Sequence, residues 1–205
     1  MKAETTVKQE NIVEAAIRRF SHFGMNKTTM AEIADDLQIS KPAVFYYFND
    51  KGSLLKAVGQ KIISEVLESF KEVFSSARSV EEGLLNFVEV KRQFFKKNML
   101  LAIQAESLET NKSTPEMSEC VLTAHARTEE IIAGFLRVGI EREDVKPIDV
   151  VMTSHIIVET LHAYEQSVKS KSAIVKTNDM DELFDKQRAL IQLLINGIKN
   201  SAWKN

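Results

Sequence analysis

Turn-forming residues are scarce. Gly and Pro supply 7 and 3 of the 205 residues, too few for a sandwich or barrel of many short strands, which needs a turn every few residues. The single cysteine, Cys120, excludes an intramolecular disulfide and a CxxC metal site, and it suits the reducing cytoplasm. Apolar runs such as the one ending at Ile103 are short, far below the roughly 18 consecutive apolar residues of a membrane span. The segment Met1 to Thr6 is charged and has no apolar stretch, so neither a secretory signal nor a membrane partner is expected. An excess of one charge is missing too. Lys+Arg number 27 against 29 Asp+Glu, a net charge of −2, which excludes a uniformly basic nucleic-acid coat and leaves only a local patch. Gly-rich phosphate loops, GxSxG and HExxH are absent, so no enzyme, metal or cofactor is expected.

What is present is apolar residues, 44% of the chain, at helical spacing. Ile12, Val13, Ala16, Ile17 and Phe20 predict a helix over 8–23 that stops at Gly24. Thr29-x-x-Glu32 is a capping box opening a short helix over 30–37. Ser40 as N-cap and Pro42 in the first turn open a third, ending near Tyr47. Asn49-Asp50 caps a long fourth over 51–74. Further helices are expected over 80–97, 99–109, 115–142, 147–170 and 180–203, with a polar loop over 169–179. The fold class is all-α: a three-helix head joined by the long fourth helix to a larger helical bundle. The expected division is a small N-terminal unit, 1–48, and a larger helical body, 49–205.

The stretch from Thr28 to Phe48 has the make-up of a helix-turn-helix. Ala34 is small where two short helices cross, Ile39 is the expected apolar plug of the turn, and Val44 and Phe48 face inward. That leaves Lys41, Ala43, Tyr46 and Tyr47 on the outer face of a helix short enough for a major groove. Lys41 can donate to guanine or phosphate, Ala43 can touch a thymine methyl, and the tyrosine hydroxyls can bond phosphate oxygens. Residues 1–60 hold 8 Lys+Arg and 7 Asp+Glu, so a single head binds DNA weakly and two heads one helical turn apart are needed.

Gly24, Thr28-Thr29, Ile33-Ala34, Ile39-Ser40-Lys41, Val44-Phe45-Tyr46-Tyr47-Phe48 and Lys51-Gly52-Ser53-Leu54-Leu55 resemble the N-terminal signature of TetR-type transcriptional regulators. The resemblance implies an all-helical homodimer whose first three helices bind an operator and whose C-terminal helices bind a small ligand and dimerise. Carried over by position, it implies DNA contacts at Thr29, Ser40, Lys41, Pro42, Ala43, Tyr46, Tyr47 and Lys51. Two positions depart from the pattern. Gln38 stands where relatives have a turn glycine, and Phe45 stands where they have a tyrosine.

In the body, Leu183, Phe184, Leu190, Ile191, Leu194, Ile195 and Ile198 form one stripe. The helix before it is apolar nearly all round: Val150, Ile157, Leu161, Tyr164 and Val168 on one side, Met152, Ile156 and Ala163 on another. Such a helix needs cover on most sides, which points to a homodimer through the last two long helices. A narrow polar stripe, His155, Glu159, His162 and Gln166, runs along it. Three readings stand: pairing across the interface or at its rim, lining a ligand pocket together with His125, or holding a metal on one helix face. Ligands on one helix rarely converge on one ion, so no metal is assigned. The overall reading is a one-component transcriptional repressor with a near-palindromic operator and a small-molecule effector. The alternative is a helical ligand-binding or adaptor dimer whose head does not read DNA.

Overall fold

The computed structural model describes residues 2–97, 115–171 and 177–200, and the side chains of 7–97, 119–167 and 180–200. Among the described residues there are eight helices: α1 (Lys2–Phe23), α2 (Met30–Asp36), α3 (Lys41–Tyr47), α4 (Lys51–Ser76), α5 (Val80–Lys97), α6 (Pro115–Glu141), α7 (Val150–Lys171) and α8 (Thr177–Ile198). No strand accompanies them there; Val145 and Lys199 make one isolated antiparallel bridge. None of these helices is long and apolar enough to cross a membrane. The expected helix over 99–109 lies outside the described residues.

Several boundaries move, each for a local reason. α1 starts at Lys2, six residues earlier than its apolar stripe predicts. α7 starts at Val150 and not at Pro147, because Asp149 is its cap: Oδ1 accepts from the backbone N–H of Val151 at 3.1 Å and of Met152 at 3.0 Å. The expected polar loop over 169–179 is helical at both ends, since α7 runs to Lys171 and α8 opens at Thr177. α8 ends at Ile198, where Lys146 N–H donates to the Ile198 carbonyl at 2.9 Å and Asn200 N–H to Asp144 at 3.1 Å.

The packing divides into two compact units, one of residues 1–65 and 95–123, the other of 66–94 and 124–205. In the first, Ile12, Ala16 and Phe20 of α1, Ile33 and Ala34 of α2, Val44 and Phe48 around α3, and Leu54 and Val58 of α4 form one buried cluster. Arg19 ties α1 to α2: Nε donates to Asp36 Oδ2 at 2.5 Å, and Nη2 to Oδ1 at 3.0 Å. In the second, Phe87 packs on Phe70 and Phe74, with ring centroids 4.6 and 5.7 Å apart, and Phe74 on Phe135 at 4.5 Å. This core forces two close approaches. A Cβ on Gly83 would lie 2.3 Å from Phe135 Cζ, and one on Gly139 would lie 2.2 Å from Val80 Cγ2, so α5 and α6 touch where each contributes a glycine.

Candidate nucleic-acid interface

The head is built by caps. Gly24 has φ 84° at the end of α1, a conformation that carries no Cβ penalty only for glycine. The buried Thr28 hydroxyl donates back to the Gly24 carbonyl at 3.0 Å. Thr29 then caps α2 reciprocally: its N–H donates to Glu32 Oε2 at 2.7 Å, and Glu32 N–H donates to Thr29 Oγ1 at 3.3 Å. The Thr29 hydroxyl also donates to Glu32 Oε2, at 2.9 Å. Backbone and side-chain hydrogen bonds from Thr29 hold the Glu32 carboxyl below its ordinary range.

α2 closes with Gln38 N–H donating to Asp35 and Ile39 N–H to Ala34, both at 3.0 Å. These are the two bonds of a Schellman cap. Gln38 occupies its left-handed position at φ 54°, so the turn is made without glycine, at a steric cost of about 1 kcal/mol. α6 ends the same way, with Glu143 at φ 61°. The plug expected at Ile39 is not one: Ile39 is 37% exposed, and Leu37 packs on the core instead.

Ser40 caps α3, its Oγ accepting from Ala43 N–H at 3.3 Å, with Pro42 in the first turn. Val44 and Phe48 hold the inner face of α3 in the core. Lys41, Pro42, Phe45 and Tyr46 are exposed and Ala43 is half-buried. Tyr46 is the most open of them, at 78%. Lys41 Nζ sits 5.7 Å from the Phe45 ring centroid. Tyr46 and Tyr47 meet edge to face at 5.1 Å. Tyr47 is half-buried against the core, which corrects the expectation that it points outward. At the start of α4, Asp50 Oδ1 accepts from Ser53 N–H at 2.7 Å. Burial holds the neighbouring Lys51 ammonium below the usual lysine value, with Glu32 opposing. Lys41 and Tyr46 thus present exposed polar groups along the outer side of a short helix whose cap is the Ser40 hydroxyl.

The polar stripe of α7 divides. His155 Nδ1 lies 3.1 Å from Glu129 Oε1 of α6, and Glu159 is exposed beside them. His162 meets His125 edge to face, centroids 4.3 Å apart, with Gln166 Nε2 at 3.5 Å from His162 Nε2. Burial first, and then the His162 imidazole, lowers the His125 pKa. Behind them is a network that the sequence reading missed. Glu165 Oε1 accepts from Lys91 Nζ at 2.7 Å and from Gln187 Nε2 at 2.8 Å. Gln187 Nε2 also donates to the Leu161 carbonyl at 3.0 Å. Both amide hydrogens are thereby used, while Gln187 Oε1 is buried without a donor. The signal was available. Position 187 falls on the apolar stripe of α8 between Phe184 and Ile191, and 165 falls on that of α7 after Leu161.

Comparison with known proteins agrees with this geometry. The profile of bacterial regulatory proteins of the tetR family matches residues 12–58, the capped head just described. Over 202 residues, 95% of this chain and 92% of the relative, the sequence is 25% identical to the HTH-type transcriptional regulator RutR of Escherichia coli (strain K12). A transcriptional regulator from Cytophaga hutchinsonii has the same fold: TM-score 0.85, 24% identity, 94% of this chain and 98% of that one covered. So does a Saccharomonospora viridis protein solved in complex with choline: TM-score 0.73, 17% identity, 95% and 98% covered. The helix-turn-helix head over residues 12–58 thus matches the tetR family of bacterial regulatory proteins, and over most of its length the chain is similar to HTH-type transcriptional regulators.

Proposed function

We propose that the protein is a cytoplasmic one-component repressor. Its homodimer binds a near-palindromic operator through residues 1–48 and is released by a small molecule held in the helical domain of 49–205. The observation that carries the DNA reading is the outer side of α3, where Lys41 and Tyr46 are exposed while Val44 and Phe48 lock the helix to the core. Lys41 reads a base or holds a phosphate, and Tyr46 reaches the backbone. Ser40, Pro42, Ala43 and Tyr47 frame them. Thr29 and Lys51 stand at helix N-termini, where backbone N–H groups favour phosphate.

Dimerisation uses the outward sides of α7 and α8. Val151, Met152 and Ile156 are 63, 55 and 45% exposed and Leu193 is 69% exposed, too much apolar surface on two long helices to leave in water. The effector takes the polar residues of the second unit around His125 and His162, with His155 and Glu159 at their rim and the Gln187 acceptor behind them. The choline carried by the S. viridis neighbour supports a small polar molecule. Effector binding lowers operator affinity by about 1–3 kcal/mol if its coupling is of ordinary size.

The test is fluorescence anisotropy on DNA from upstream of the protein's own coding region and on unrelated DNA. Lys41→Ala weakens operator binding by ~1–3 kcal/mol if Lys41 reads a base. If it holds a phosphate, both DNAs lose affinity alike and the salt slope falls by about 0.9 per contact. Equal binding by wild type and variant on both DNAs removes Lys41 from the interface.

A further inference from the structure

We propose that the seam between α6 and α7 holds a divalent transition-metal ion on Glu129, His155 and Glu159. One ligand atom from each of the three lies within 4.8 Å of the other two. His155 and Glu159 are one turn apart on α7, so their side chains leave the same face, and Glu129 meets them from α6 with its Oε1 3.1 Å from His155 Nδ1. Zn–N and Zn–O bonds of about 2.0–2.2 Å require the ligands to draw in by on the order of 1 Å. His155 and Glu159 are exposed and Glu129 is half-buried, so the two α7 side chains have room to make that movement.

The charge of the seam argues for a cation. Among the described residues no lysine or arginine pairs with Glu129 or Glu159; the basic residue nearest in sequence, Arg127, is paired with Glu130 at 3.1 Å. Two carboxylates and an imidazole therefore share one spot with no ion-paired lysine or arginine among the described residues, and a doubly charged ion neutralises both. The imidazole decides the kind of ion. Mg²⁺ and Ca²⁺ take oxygen ligands, whereas a nitrogen beside two carboxylates suits Zn²⁺ and its neighbours in the first transition row. The same seam carries His125 and His162, so three of the four histidines of the chain line it. One-helix spacing suggested His155, Glu159 and His162 as a set; the tertiary packing replaces His162 with Glu129. Three protein ligands leave the remaining positions to water.

The experiment uses the full-length, tag-free protein, Zn²⁺ as the probe and a chromophoric chelator as competitor, so it needs neither operator nor effector. The expected result is one Zn²⁺ per chain. Binding weakens at least ~10-fold in His155→Ala and in the isosteric Glu159→Gln, and it is unchanged in Glu130→Gln and in excess Mg²⁺. Co²⁺ should give a visible spectrum without thiolate charge-transfer bands, altered in His155→Ala. Wild type that holds no more Zn²⁺ than His155→Ala, or a Co²⁺ spectrum that is the same in both, overturns the proposal and leaves a surface hydrogen bond between His155 and Glu129.

Discussion

Removing one partner of the buried Lys91–Glu165 pair should expose how the second unit is held together. Glu165 Oε1 takes Lys91 Nζ at 2.7 Å and Gln187 Nε2 at 2.8 Å, and the two charged side chains are 21% and 11% exposed. Breaking a fully buried pair costs about 3–5 kcal/mol, because a lone charge is left behind. Water reaches the partly open Lys91 side and Gln187 keeps one bond, so Lys91→Met should cost ~2–4 kcal/mol at pH 7.5. The pH dependence carries the sign of the argument. Burial alone would raise the Glu165 carboxyl; the Lys91 charge and the hydrogen bonds from Lys91 and Gln187 outweigh it and hold the group below its ordinary range. In the wild type, Glu165 therefore contributes stability above its unfolded value of about 4.3 and loses it as the pH falls through the lower folded value. In Lys91→Met, burial dominates and the folded value rises above the unfolded one. The group is then least destabilising in acid, and stability falls as the pH rises through the folded value. The gap between the two proteins should be widest near neutrality and shrink toward pH 4–5. Urea unfolding followed by circular dichroism, at one protein concentration and at several pH values, measures it. Pairing Lys91→Met with Glu165→Leu should recover most of the loss. A gap under ~0.5 kcal/mol at pH 7.5, or one that widens on acidification, would refute a charge-paired buried Glu165.

Gln38 sits at φ 54° with its side chain exposed. Gln38→Gly should stabilise the head by ~0.5–1 kcal/mol, the relief at φ > 0 exceeding the extra entropy of glycine in the unfolded chain; a destabilised variant in urea would show that the side chain matters. Ser40→Ala removes the cap of α3 and should cost about 1 kcal/mol, with weaker operator binding. Leu193→Asp places a charge on the exposed apolar side of α8. Light scattering should then report monomer, and operator affinity should fall although the head is untouched; a dimer that binds normally takes Leu193 out of the interface. Burial pushes the Cys120 thiol up, so it should react slowly with a thiol reagent at pH 7.5 until urea opens the fold.

The head was legible from the chain because its instructions are local. Gly24, Thr29-x-x-Glu32, Ser40 and Pro42 act over three or four residues, and each cap in the structure is the one the spacing predicts. The helical stripes of α1 and α8 were legible for the same reason: burial on one face repeats every turn. Which of two neighbouring apolar residues turns inward was not. Leu37 packs and Ile39 does not, and Tyr47 leans on the core while Tyr46 stays open, because the crossing of α2 and α3 sets those few degrees. Which partner each polar residue of the second unit meets depended on tertiary structure. Glu129 meets His155 across 26 residues, and Gln187 meets Glu165 across 22. Periodicity determines that a side chain lies on a helix face; only the packing of one helix against another determines what that face meets.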